Sequence, residues 1–177
     1  GGDNGVMLHE AVGHGLEADC NRMGISVYAT QLNQRVACPD ITIVDSGHVE
    51  KNYGALNIDD EGTPAQHTVL IEKGILKGYM HDKISAKHYG VSPTGNGRRQ
   101  NYRYAPIPRM RVTMMENGPY EREELIANVK RGIYCETTTN GKVDIGAGDY
   151  AFYLTTGYLI EDGKLTAPIK NVNLIGN

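Results

Sequence analysis

His9, Glu10 and His14 are grouped in the stretch HEAVGH, near the start of the chain. Two imidazoles and a carboxylate are side chains that hold a zinc-type ion and move a proton beside it. Such a catalytic ion takes histidine nitrogens, a further protein ligand and one open position. A neighbouring glutamate then accepts a proton from water. The familiar form is H-E-x-x-H, with histidines four apart. Four residues leave the two rings about 40° apart around a helix. Here the spacing is five, and the angle grows to about 140°. A regular α-helix would aim His9 and His14 to different sides. Two distortions would bring them together. A π-turn absorbs one extra residue and is often found at functional sites. Alternatively the helix breaks at Gly13, a weak helix former and the place where it is expected to give way, with Gly15 as a second weak point. The spacing alone has little specificity, since histidines in a glycine-rich helix also serve as surface or capping residues.

Other groups could complete or serve such a site. Glu17, Asp19 and Cys20 follow the motif closely, and Asp59-Asp60-Glu61 is a further source of carboxylates. That acidic run also reads as a solvated turn before Gly62-Thr63-Pro64, and Cys20 as a buried helix residue. In PTGNGRR, Gly95 and Gly97 permit close backbone approach. Arg98 and Arg99 could hold a peptide carboxylate or a carbonyl-rich chain. The same residues would equally make a tight surface loop with two solvated arginines. The stretch is not a phosphate-binding G-x-x-x-x-G-K-[ST] loop. His48, His67, His81 and His88 show no ligand spacing and read as structural or exposed.

The elements that must position these groups follow from periodicity. GVMLHEAVGHGLEADCNRMG reads as one helix, with Val6, Met7, Glu10, Ala11 and His14 at three- and four-residue steps. Asp3 or Asn4 would cap its start and Gly24 would stop it. VYATQL and DITIVDSG have the β-branched content of strands. HTVLIEKGILKGYM reads as a hairpin, with strands Thr68 to Glu72 and Ile75 to Met80 around a Lys73-Gly74 turn. GYLIEDGKLTAPI is a second hairpin around Asp162-Gly163; one copy of each does not establish a repeat. DKISAKHYG is a short helix ending at Gly90. YEREELIANVKRGIYC is a longer one with the stripe Leu125, Ile126, Val129 and Ile133, acids in its first turn and Lys130-Arg131 in its last. KVDIG, DYAFYLTTGYLIE and KLTAPI read as strands. The fold class is therefore α+β: β-rich antiparallel sheets and hairpins, two or three helices, and the metal motif on the first helix. The lack of regular βαβ alternation argues against a parallel doubly wound sheet.

The 177 residues suffice for one domain with a real core. The formal net charge of −3 speaks against direct nucleic-acid binding. No apolar run reaches the ~18 residues of a membrane span. Three cysteines, widely spaced and without C-x-x-C, fit a reducing compartment better than a disulfide framework. The expected location is cytoplasmic. The chain opens straight into a helix and closes on the apolar run IKNVNLIGN, so it reads as an excised piece of a longer protein.

LHEAVGHGLEAD followed by NRMG, then IDDEGTP, GYMHDK, PTGNGRR and GKVDIGAGDYAF, resembles the TldD branch of the TldD/PmbA family over nearly the whole chain. The combination of H-E-x-x-x-H with PTGNGRR is what makes the likeness specific. The resemblance implies a metallopeptidase, a type also described as a modulator of DNA gyrase. It implies that His9 and His14 bind a divalent metal, zinc ahead of iron, and that Glu10 activates water. The family's third ligand is a cysteine near the C-terminus of the full protein; none of Cys20, Cys38 or Cys135 matches it. The chain would then be part of the catalytic region, single in itself, without the family's N-terminal domain and extreme C-terminus. A peptide substrate, and a homodimer or a heterodimer with a metal-free PmbA-like subunit, are implied as partners. The rival expectation is a non-catalytic assembly or regulatory module with a vestigial metal motif.

Overall fold

A computed structural model describes residues 5–177. Asp3 and Asn4, the expected caps of the first helix, lie outside the described residues. The expected single helix is four short pieces. Helix α1 (Gly5–Leu8) runs into a π-turn (His9–Gly13), then a 3₁₀ turn (His14–Leu16), and the chain resumes as α2 (Ala18–Arg22). Between the last two, Glu17 is extended (φ −71°, ψ 126°) and bridges to Met80. The buried face also differs from the expected one. Leu16 is fully buried, and Leu8 and Val12 pack against the same core, whereas Val6 is 45% exposed.

The core lies between this segment and a four-stranded antiparallel sheet. Its strands are β1 (Ile43–Ser46), β2 (His67–Glu72), β3 (Ile75–Leu76) and β6 (Val112–Met115), in the order β3-β2-β1-β6. Leu16, Ala18, Ile43, Leu70, Leu76, Met80 and Met110 form one buried cluster. VYATQL is not a strand. Residues 27–30 are turns, with Ala29 N–H on the Ser26 carbonyl and Gln31 N–H on Tyr28, and Tyr28 packs on the core. The β2–β3 hairpin has the expected Lys73-Gly74 turn, both residues at positive φ. Strand β3 ends at Leu76 rather than Met80, because Lys77 and Gly78 both donate back to the Leu70 carbonyl and turn the chain away.

Helix α3 (Lys83–Tyr89) matches its expectation, capped by the Asp82 carboxylate on Ser85 N–H at 2.6 Å. Two-residue strands β4 (Gly97–Arg98) and β5 (Ile107–Pro108) pair within the Arg-rich loop. Helix α4 is only Arg122–Ala127. Ile133, expected on its stripe, belongs instead to β7 (Arg131–Val143), whose ladder with β8 (Tyr150–Glu161) outcompetes helix extension. KVDIG is accordingly the end of β7 and the turn after it. The other edge of β8 carries β9 (Lys164–Ile169) beside its second half and β10 (Val172–Gly176) beside its first. The three sheets and few helices, all strand pairs antiparallel, are the expected α+β arrangement. The described helices are too short to cross a membrane.

Candidate metal centre

The π-turn answers the spacing problem posed by HEAVGH. His14 N–H donates to the His9 carbonyl, an i to i+5 bond, so the extra residue is absorbed in one wide turn. The rings of His9 and His14 then stand edge to face with centroids 4.8 Å apart. One ligand atom from each of His9, Glu10 and His14 lies within 4.8 Å of the others. Glu10 Oε2 is 3.7 Å from His14 Nε2. The chain does not break at Gly13, which is helical (φ −59°, ψ −50°). Its missing side chain has another use. A Cβ there would lie 2.0 Å from Met110 Sδ, so glycine lets the turn sit directly on the core.

The donor set fits a divalent ion: two imidazoles and a carboxylate converge at one turn. Burial and the nearby His14 hold the His9 pKa below 6.5, which favours the neutral, ligating ring. His14 is shifted the other way, chiefly by Glu17. Glu17 is 2% exposed. Its Oε1 lies 3.2 Å from His14 Nδ1, and its Oε2 accepts from Arg109 Nη1 at 2.9 Å. Glu17 therefore stands on the Nδ1 side of the ring, at ion-pair distance but without a well-aligned hydrogen bond to its Oε1, and Glu10 stands on the Nε2 side. A carboxylate on the far nitrogen of a ligating histidine sets its tautomer and orientation.

Glu17 is thus not grouped with the two histidines as a ligand. It clusters with Asp19 and Cys20, and burial together with Asp19 raises the Cys20 thiol to about 11, so it is not a thiolate at neutral pH. Glu17's position three residues after His14 was a legible signal for this role. Arg109 gave none, being 92 positions away along the chain.

The acidic run does form a turn with Asp60 exposed, but all three carboxylates are engaged by backbone N–H groups and none is grouped as a ligand. Asp59 is 5% exposed and accepts N–H bonds from Glu61, Thr63 and Gly97. Asp60 accepts from Arg99 N–H at 2.7 Å, and Glu61 from Lys83 N–H. The run therefore clamps the PTGNGRR loop from one side. From the other side, Arg111 donates to the Gly95 and Gly97 carbonyls, and Asn96 donates to Asp45. This places Arg98 and Arg99 beside His14, in one cleft with Arg109. The remaining histidines are apart from it: His48 and His88 are exposed, His67 faces Glu116, and His81 is buried among Tyr79 and Tyr89.

Residues 4–177 match the model of the PmbA/TldA metallopeptidase C-terminal domain. The chain belongs to this family. It is 51% identical over 173 residues to a metalloprotease TldD homologue of Haemophilus influenzae, covering 98% of this chain and 36% of that protein. The chain thus spans little more than a third of the length of such a relative. A crystal structure from Bacteroides thetaiotaomicron, of a candidate modulator of DNA gyrase, superposes with a TM-score of 0.75 at 30% identity, over 97% of this chain and 36% of that one. TldE from Thermococcus kodakarensis shares the fold, with a TM-score of 0.84 at 24% identity over 98% of this chain and 39% of that one. In this chain Leu8, Val12 and Leu16 pack the segment that carries the π-turn against the core.

Proposed function

We propose that the chain is the metal-bearing part of a TldD-type metallopeptidase that cleaves unfolded or flexible peptides. The observation that carries this reading is the π-turn, which brings His9, Glu10 and His14 onto one point despite their five-residue spacing. His9 and His14 would hold the ion, for which zinc suits the nitrogen-rich donor set, with iron the alternative. When bound, the ion supplies Lewis acidity that polarises a peptide carbonyl and strengthens water as an acid. Glu10 Oε2, beside His14 Nε2, takes the proton from the attacking water and returns it to the leaving nitrogen. Glu17, on the Nδ1 side of His14, would orient that ring while this happens. An extended substrate adds to a strand edge, which suits a hairpin-rich domain. In the full-length protein we place a third ligand outside these 177 residues, a dimeric assembly with a like or metal-free subunit, and a cytoplasmic location. The chain alone is then expected to bind metal weakly and to lack peptidase activity.

The test is elemental analysis and a peptidase assay of the full-length protein beside Glu10→Gln. Stoichiometric metal in both, with activity lost only in the variant, supports the reading. Activity unchanged by the substitution would sink it. The likeness to a candidate gyrase modulator favours one alternative, a non-catalytic assembly or regulatory module. That alternative predicts full-length protein without stoichiometric metal.

A further inference from the structure

Of the clefts around the π-turn, one lies on its Ala11 and Val12 face, where Arg35 donates to the Lys73 carbonyl at 3.3 Å, and two lie beside the candidate ligands with unequal charge. One, on the His9 and Glu10 side, is lined by Asn52, Arg111, Val112 and Thr113. Among the described residues its one Lys or Arg is Arg111, which is committed to the carbonyls of Gly95 and Gly97 at 3.0 Å each. The other, of about 350 Å3, is lined by His14, Arg98, Arg99, Gln100, Ile107 and Arg109. Among the described residues no carboxylate lines it. Its three guanidiniums are committed to different degrees. Arg109 is paired with Glu17 and lies 3.9 Å from Asp19. Arg99 donates Nη1 to the Tyr104 carbonyl at 2.7 Å and has its other donors left over. The Arg98 side chain is exposed and has no hydrogen-bond or ion-pair partner among the described residues.

The backbone beneath these arginines is held from several directions. Asp59 binds Gly97 N–H, Asp60 binds Arg99 N–H, and Arg109 N–H binds the Asn96 carbonyl. Gly95 sits at φ +77°, where a Cβ would be 2.5 Å from the Pro64 carbonyl oxygen. A loop so fixed does not lose backbone entropy when a ligand arrives, and that saving appears as affinity. An uncommitted guanidinium presents a planar fork of N–H donors, whose best match is a carboxylate.

We propose that the cleft beside His14 binds a carboxylate of the peptide substrate through Arg98 and Arg99. The proposal rests on the peptidase reading and sets the orientation of its substrate. The acidic group lies on the His14 side of the scissile bond, since the cleft on the Glu10 side has no free cation. A C-terminal carboxylate and an aspartate or glutamate side chain offer the same chemistry.

Binding, measured without turnover, tests this. Full-length Glu10→Gln protein is titrated with dye-labelled peptides of one flexible sequence. One pair has a free or an amidated C-terminus; a second pair has internal Glu or Gln at matched positions. A carboxylate peptide is expected to bind about tenfold tighter than its neutral twin, as for one charge-assisted contact. The gap should close in an added Arg98→Gln/Arg99→Gln substitution, and shrink in Arg98→Gln alone if the double variant melts early. The pair that shows the gap identifies which carboxylate is read. Equal affinities within both pairs, a gap that survives the double substitution, or no binding of any peptide would overturn the subsite. Failure of the peptidase reading looks different: wild-type protein cleaves none of the peptides, whatever their binding.

Discussion

His14 Nδ1 and Glu17 Oε1 lie 3.2 Å apart, and the second oxygen of that buried carboxylate is held by Arg109 at 2.9 Å. A helical turn made wide enough to converge two histidines leaves their rings free to rotate. Glu17 removes that freedom for one of them. Glu17→Ala should therefore weaken metal binding in the full-length protein by about 10- to 100-fold. Competition with a chelator measures it. Unchanged affinity in a folded variant would remove Glu17 from the site.

Burial depresses the His81 pKa to about 4, and its Nδ1 has no hydrogen-bond partner. The folded protein thus resists protonation at a position where the unfolded chain accepts a proton near its ordinary 6.5. The unfolded state binds more protons between those values, so stability rises with pH through that window and is fully present above it. Thermal melting of His81→Asn should show a flatter dependence from pH 6.5 down to about 4 than the parent. Parallel curves would mean another group governs acid sensitivity.

Asp45 is 1% exposed and accepts from Asn96 at 2.7 Å, Thr113 at 2.8 Å and Arg111 N–H at 3.0 Å. Burial pushes its pKa up, against the pull of these bonds. Asp45→Ala strands several buried donors at once and should cost about 3 kcal/mol in urea unfolding. Asp45→Asn keeps one acceptor oxygen and should cost less. A smaller loss for alanine than for asparagine would contradict this account of the strand β1 junction.

Gly95 meets the Pro64 carbonyl where a side chain would stand and has positive φ. Gly95→Ala should lower stability by about 1–3 kcal/mol. Because the loop carries Arg98 and Arg99, it should also loosen peptide binding. A variant as stable as the parent would show that the 62–65 and 94–97 segments can separate without cost.

Much of the fold was legible where the signal is local. The Lys73-Gly74 and Asp162-Gly163 turns need positive φ at adjacent residues, and both form as read. Asp82 and Gly90 bracket α3 as cap residues should. The misreadings share a cause. VYATQL has strand-forming residues but no neighbouring strand to pair with. Residues 128–135 have helical spacing, but β8 offers Arg131 onward a ladder along its full length. Partners distant in sequence decided both.

The candidate site divides along the same line. By itself, the sequence determined which groups could hold an ion and that a regular helix would keep His9 and His14 apart, since both follow from residue type and a fixed angle per residue. It also offered Arg98 and Arg99 as candidates to hold a carboxylate, beside an equal reading as solvated arginines. Only the tertiary structure chose the π-turn over a break at Gly13, because the choice depends on Met110 filling the space that glycine leaves. It alone joined Glu17 to Arg109, turned Asp59 to Glu61 into a clamp, and set the arginines beside His14. Those relationships hold across tens of residues, and hydrogen bonds of that range have no periodicity to read.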